Sequence, residues 1–298
     1  MQLEQRKNCL PEVAATIPPG FVKPGKGAGL ADVFRSRYLL TLLVRKEVQV
    51  RYRGSVLGWA WSYVKPAAQF VVFFVALGIF LRLNHSMESY PIYLFSGVVL
   101  ANLFMEAFSN STRSLVDNAA LIKKIYLPRE LFPVSSTIVA FINFLPQVAI
   151  LAIVCAFVGW HPNFMQIVGI LLAMVIIIVL AVGLGMLFGA ANVSFRDSQN
   201  FVDLIMMVVT WASPVLYPFT QVQGVMPPWL FFLYELNPIT AAVQLFHAGF
   251  WYPTTSGGAA IPEHTMQFGL GGLAISIVIL LLGQLVFRRL EGRFAQDL

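Results

Sequence analysis

Charge is scarce in this sequence. Only 11% of its 298 residues are Asp, Glu, Lys or Arg, where an ordinary soluble domain carries about 25%. With 58% hydrophobic residues gathered in long uncharged blocks, that deficit argues against a water-soluble fold and for one helical membrane domain. Cysteine is nearly missing: Cys9 stands near the amino terminus and Cys155 inside an apolar block, so no disulfide is expected. Histidine is as sparse. His85, His161 and His264 fall in short loops and His247 in a proline-rich stretch, without paired ligand spacing or a neighbouring nucleophile, so no metal ligands and no catalytic residues are assigned. A phosphate-binding loop is lacking too. Gly20-Phe-Val-Lys-Pro-Gly25-Lys26-Gly27 comes near one, but Gly27 stands where Ser or Thr should ligate magnesium, and Pro18 and Pro19 replace the preceding strand. Any ATP hydrolysis therefore belongs to a partner. No internal repeat is visible, which takes weight from an inverted-repeat carrier.

What is present is apolar length. Hydrocarbon about 30 Å thick needs a helix of roughly 20 residues, and six segments qualify: Pro66 to Leu81, Pro91 to Asn110, Phe132 to Trp160, Phe164 to Ala191, Leu204 to Tyr217 and Met266 to Phe287. Of the twenty Lys and Arg residues, nineteen then fall on one side and Arg82 alone on the other. Basic residues collect in cytoplasmic loops, so both termini are expected in the cytoplasm. The net charge of +6 lies beside the spans, which fits anionic headgroups and not nucleic acid. Residues 1–29, rich in proline and without an apolar run, read as a flexible cytoplasmic tail, and 30–298 as the membrane domain. Residues 30–58 mix Leu30, Phe34, Tyr38 and Leu42 with Arg35, Arg37, Arg45 and Lys46, the pattern of an amphipathic interface helix. Pro214, Pro218, Pro227, Pro228 and Pro238 forbid one straight helix between spans five and six, so broken or re-entrant helices are expected on the outer side.

Three groups of residues carry possible chemistry. Asn102, Glu106, Ser109 and Arg113 recur at helical spacing on span two and form one polar stripe. A carboxylate inside a membrane needs a polar lining or a partner, so the stripe is either a wet pathway or structural glue between helices. Trp59, Tyr63, Phe70, Phe73, Phe74 and Leu77 share an arc of about 100° on span one, a face that suits sugar rings and equally suits lipid. Gly185-Met-Leu-Phe-Gly189 on span four lets two helix backbones approach closely.

Arg51-Tyr-Arg-Gly-Ser-Val-Leu-Gly-Trp-Ala-Trp-Ser-Tyr-Val-Lys-Pro66 and Leu121-Ile-Lys-Lys-Ile-Tyr-Leu-Pro-Arg-Glu130 resemble landmarks of the permease subunits of type-2 ATP-binding-cassette (ABC) exporters for lipid-linked polysaccharide. Val193-Ser-Phe-Arg-Asp197 and Asn237-Pro238 resemble that family's later landmarks, and the similarity covers about residues 30 to 290 in order. The resemblance implies an all-α membrane protein in a bacterial cytoplasmic membrane. It also implies pairing with a second copy of itself and docking of two copies of a cytoplasmic ABC ATPase, which holds the ATP and Mg, this chain having no cofactor of its own. Its substrate would be a polyprenyl-pyrophosphate-linked glycan: O-antigen, capsule, teichoic acid or cell-wall galactan. Arg51 and Arg53 would meet the anchor's phosphate, and Trp59, Tyr63, Phe70, Phe73 and Phe74 the sugars. Lys123, Lys124, Tyr126, Pro128, Arg129 and Glu130 would couple to the ATPase, and Pro227, Pro228, Asn237 and Pro238 would belong to an outer gate. A drug or lipid efflux permease of the same type and an ion-coupled carrier using Glu106 stay open as alternatives. A membrane-embedded glycosyltransferase is disfavoured, since Glu106, Asp203 and Glu235 show no paired-acid spacing.

Overall fold

The computed structural model describes residues 29–54, 58–125, 127–195, 197–256 and 261–294. The expected tail, apart from Gly29, thus lies outside the described residues, as do Tyr126, Arg196 and the side chains of Trp59 and Arg293. Everything regular among the described residues is helical. Two helices open the chain, α1 (Leu30–Arg35) and α2 (Arg37–Tyr52), bent apart at Ser36. The expected interface helix over 30–58 therefore ends earlier, at Tyr52. Gly54 follows with φ of 78°, a left-handed residue of the kind that stops helices.

The first long apolar helix is α3 (Trp61–Phe73), continued by a π-helical stretch, Phe74–Phe80. Pro66 lies inside it. Having no N–H, Pro66 cannot donate to the carbonyl of Ser62 one turn back, and Gln147 of a neighbouring helix donates to that oxygen at 3.3 Å. Next come α4 (Leu83–Ser86), α5 (Tyr90–Asp117), α6 (Ala119–Lys124), α7 (Leu131–Phe157) and α8 (Phe164–Ser194). The chain continues with α9 (Ser198–Ala212), α10 (Phe219–Gln223), α11 (Pro228–Leu236), α12 (Pro238–Phe250) and α13 (Thr265–Leu290).

Five of these stretches are long and apolar enough to cross a membrane: Trp61–Phe80, α5, α7, α8 and α13. The fifth expected span, Leu204 to Tyr217, does not qualify. The helix there, α9, starts earlier, at Ser198, and is 15 residues long, about 22 Å at 1.5 Å per residue, and Ser213 leaves it in an extended conformation just before Pro214. Apolar composition suggested a span there, but proline ends the helix first.

At the centre stands α5. Leu94, Leu100, Phe104 and Phe108 on it are fully buried, and it packs against α3, α7, α8, α9 and α12. The Trp61–Phe80 stretch is nearly bare by comparison, with Val72, Ile79 and Phe80 exposed. Buried among α5, α8 and α13 is α12. Its first residue Pro238 stands against Gly272, two turns into α13, while Trp251 just beyond its other end donates from Nε1 to the carbonyl of Glu88 at 2.9 Å, ahead of α5.

Close helix contacts rest on glycines. A Cβ on Gly185 would overlap the Ser111 side chain of α5, which places the Gly185–Gly189 pair at that contact. A Cβ on Gly183 would stand 2.7 Å from the backbone of Leu280 in α13, where no rotamer change gives relief. Gly183→Ala should therefore lower stability by about 1–3 kcal/mol and reduce the melting midpoint in detergent. Gly224→Ala, with nothing nearer than 3.5 Å, should leave the midpoint close to that of the parent protein.

A polar cleft as the candidate functional site

Lys123, Lys124, Arg288 and Arg289 mark one end of the bundle, at the ends of α6 and α13. From this basic end a polar cleft runs inward between α2, α3, α5 and α7. Its inner part is a cavity of about 460 Å³ lined by Arg51, Trp61, Lys65, Gln69, Asn102, Glu106 and Gln147 among others. A second cavity of about 300 Å³, sharing Arg51 with the first, is lined by Lys46, Glu47, Asn110, Ser114, Asp117 and Asn118. The cleft follows α5 because its polar residues turn with the helix, so Asn102, Glu106, Asn110 and Asp117 succeed one another along the opening.

Glu106 is the electrostatic centre. Its Oε1 lies 2.5 Å from Nη1 of Arg51 and accepts a hydrogen bond from Asn143 Nδ2 of α7 at 2.8 Å. A carboxylate in apolar surroundings is thus balanced by one cation and one amide. Asn102 Nδ2 donates to Gln69 Oε1 at 3.1 Å, tying α5 to α3. Gln147 Nε2 serves Ser62 and its own helix, but the Oε1 of this residue, 6% exposed, has no hydrogen-bond partner among the described residues. The inner cavity therefore holds Arg51 and Lys65 against Glu106 and keeps one buried acceptor open.

Nearer the basic end, α2 is fastened by side-chain hydrogen bonds. Lys46 Nζ donates to Asn118 Oδ1, and Glu47 accepts from Ser135 Oγ at 2.8 Å and from Ser136 Oγ at 3.1 Å. Burial raises the Glu47 carboxyl above its ordinary value, with the two serine bonds and Lys46 pulling back.

Of the expected stripe, Asn102 and Glu106 line the cleft, whereas Ser109 lines neither cavity and Arg113 is exposed beside them. Arg51 is in the cleft and Arg53 is exposed just past α2. The aromatic arc faces elsewhere. Tyr63 and Phe70 line an apolar groove, Phe70 stacks on Phe74 at 5.9 Å, and Phe73 and Phe74 pack on the core; the Trp59 side chain lies outside the described residues. In the cleft it is Trp61 that supplies the indole. Sequence reasoning missed Lys46, Glu47, Gln69, Asn143 and Gln147. Asn143 and Gln147, one turn apart in an apolar run, were the available signal.

In the loop before α7, Lys123 and Lys124 are exposed and Pro128 is half-buried; Tyr126 lies outside the described residues. The Arg129 guanidinium lies 5.6 Å over the Phe294 ring. Glu130, expected on the surface, is only 1% exposed. Burial raises its carboxyl, Asp32 adds to the rise, and Arg288 and Arg129 oppose it. Phe294, just beyond α13, shares a buried cluster with Leu131 and Phe132 at the start of α7. At the other end of the bundle, Pro227 and Pro228 begin α11, and Asn237 caps α12, its Oδ1 accepting from Ile239 N–H at 3.1 Å. Among the described residues no group of His, Cys, Asp and Glu is placed to hold a metal.

The family profile described as ABC-2 type transporter matches residues 38–251. The O-antigen export system permease protein RfbA of Klebsiella pneumoniae is 25% identical over 260 residues, 87% of this chain and 95% of that protein. RfbA of Myxococcus xanthus is 25% identical over 269 residues, 90% and 98% of the two chains. The polysialic acid transport protein KpsM of Escherichia coli is 22% identical over 207 residues, 68% and 77%.

Two outcomes test this geometry. Arg51→Ala and Glu106→Gln in a double-mutant cycle should show a coupling on the order of 1 kcal/mol, read from thermal unfolding, because each single change strands the other group; additive losses would refute the pairing. A raised carboxyl is stabilising when protonated, so Glu47 favours docking of α2 fully below its ordinary value of 4.5 and loses that contribution as pH rises through the raised value. Protection of the α2 amides, taken relative to the intrinsic exchange rate at each pH, should therefore fall from pH 4.5 upwards, and Glu47→Gln should flatten that dependence.

Proposed function

The chain belongs to the ABC-2 type transporter family, and on that premise we propose that it is the membrane-spanning permease of an ATP-driven exporter of lipid-linked polysaccharide. The observation that carries this reading is the cleft at the basic end. Inside an otherwise apolar bundle, Arg51, Lys65 and four amide side chains converge, a lining that suits phosphate and hydroxyl groups together. The curated relatives export O-antigen or transport polysialic acid by their names, and the alignment with them extends over most of both chains. O-antigen, capsule, teichoic acid and galactan are all compatible with such a lining. The anchor proposed is a polyprenyl pyrophosphate.

In this reading α9 is a sixth, short crossing. Its outward side chains Phe201, Leu204, Met207 and Trp211 are exposed apolar groups that need lipid or a second copy of this chain against them. Six crossings put the basic end and both termini in the cytoplasm of a bacterial plasma membrane. Pro227, Pro228, Asn237 and Pro238 then shape a re-entrant pair, α11 and α12, that enters from the outer side and turns back. Its turn at Asn237 is acceptable because protein surrounds it. Two such chains form the pathway, and each docks one cytoplasmic ATPase that binds ATP and Mg. Lys123 and Lys124 are its contacts, with Pro128 and Arg129 behind them and buried Glu130 bracing the loop. Arg51 and Arg53 meet the phosphate.

Purified in mild detergent with the ATPase encoded beside it, the chain should come as a complex of two permeases and two ATPases. Reconstituted export should stop without ATP, and Lys123→Ala with Lys124→Ala should cut export and ATPase co-purification several-fold while leaving membrane insertion intact. Transport sustained by a proton gradient alone would overturn the proposal in favour of an ion-coupled carrier.

A further inference from the structure

Besides the cleft, the bundle has an apolar groove of about 340 Å³ between α3, α5 and α7, lined by Tyr63, Ala67, Phe70, Phe95, Leu151 and Val154 among others. Two residues, Pro66 and Gln147, line both the groove and the inner cleft. The two spaces are therefore neighbours across a single wall, one nearly free of polar atoms and the other carrying Arg51 and Lys65. The wall itself carries the unpartnered Gln147 Oε1. From the function proposed above, on which this step rests, we infer that the groove seats the proximal isoprenoid units of the substrate's lipid anchor while its phosphates occupy the adjoining cleft.

Several features select that occupant. The cleft opens towards the basic end through Lys46 and Glu47, whereas the groove reaches Pro91, Ile92 and Phe95 near the start of α5 and Ile150 to Val154 in the far half of α7. A lipid of the cytoplasmic leaflet lies the same way, head at the basic end and chain towards the bilayer centre. Val71, Ile150 and Val154 on the groove's edge are 55%, 46% and 45% exposed, so a chain enters sideways from the bilayer without unfolding anything. The floor is stiff. Phe70 is held between Phe74 at 5.9 Å and Phe95 at 5.4 Å, Pro91 fixes the start of α5 beside it, and Pro66 lies one turn before it inside α3. The space accommodates part of one chain, so a singly tailed prenyl anchor fills it without leaving a second chain outside. A water donating to both Gln147 Oε1 and a phosphate oxygen completes the buried acceptor. The aromatic arc of α3 thus meets hydrocarbon, and the sugars lie beyond the phosphates in the cleft.

Farnesyl pyrophosphate and inorganic pyrophosphate serve as probes, with the permease–ATPase complex in detergent and binding followed by calorimetry. The wild type should bind the prenyl probe tighter by about tenfold or more. Ala67→Phe and, as a second filling variant, Val154→Phe should erase that preference while inorganic pyrophosphate binds as before, which also reports a folded cleft. Arg51→Lys should weaken both probes alike. A preference that survives both filling variants overturns the inference. So does displacement of the prenyl probe by equimolar phosphatidylglycerol, which makes the groove a niche for bulk lipid, and so does disulfide formation between two copies carrying Val154→Cys, which makes it a subunit contact. If neither probe binds the wild type, the phosphate reading of the cleft falls with it; if only the prenyl preference is missing, the groove alone is misassigned.

Discussion

A backbone amide or carbonyl carried into hydrocarbon must be bonded by protein, since no water is there to do it. That constraint explains the helical character of the chain, and it explains more sharply what happens where helix fails. The stretch from Ser213 to Pro218 is irregular, and two tyrosines of α5 attend to it. Tyr90 OH donates to the carbonyl of Leu216 at 3.2 Å, and Tyr93 OH lies 2.8 Å from the carbonyls of Pro214 and Tyr217. Pro66 cannot donate to the Ser62 carbonyl in α3, and Gln147 does. Each break is made by proline and repaired by a polar side chain on a neighbouring helix, so the irregular segments are fixed to α5 and α7.

The same constraint, applied to side chains, produces the cleft. Glu106 is tolerable because Arg51 and Asn143 meet one of its oxygens, and the two come from α2 and α7. The carboxylate therefore clamps α2 and α7 to α5 while lining the cleft. Arg51 is at the end of α2 and Glu47 one turn earlier is bonded to Ser135 and Ser136, so within two turns α2 is tied both to the cleft lining and to α7. The loop before α7 is built into the same end, with Arg129 on Phe294 and Glu130 covered.

Much of this was legible beforehand. Long uncharged blocks gave all five of the long apolar stretches to within about two turns at either end, and proline spacing marked the break between α9 and α12. The hydropathy of Leu204 to Tyr217 misled on length, since apolar content does not report where a helix stops. Of the polar stripe, Asn102 and Glu106 line the cleft, where Asn110 and Asp117 follow them in place of Ser109 and Arg113. Of the aromatic arc, Tyr63 and Phe70 line an apolar groove, and nothing in α3 alone says which neighbour that face meets.

By itself, then, the sequence determined the medium, the helices, the asymmetry of charge and the segments that carry the family resemblance, because these depend on composition and period along one chain. Only the tertiary structure decided which face of each helix looks inward. That choice brings Arg51 to Glu106 across 55 residues of chain, sets Phe70 into an apolar groove and Trp61 into a polar cleft, and buries Glu130 at the start of α7. Such pairings are settled by the packing of several helices at once, and no local pattern in α2, α3 or α5 contains that information.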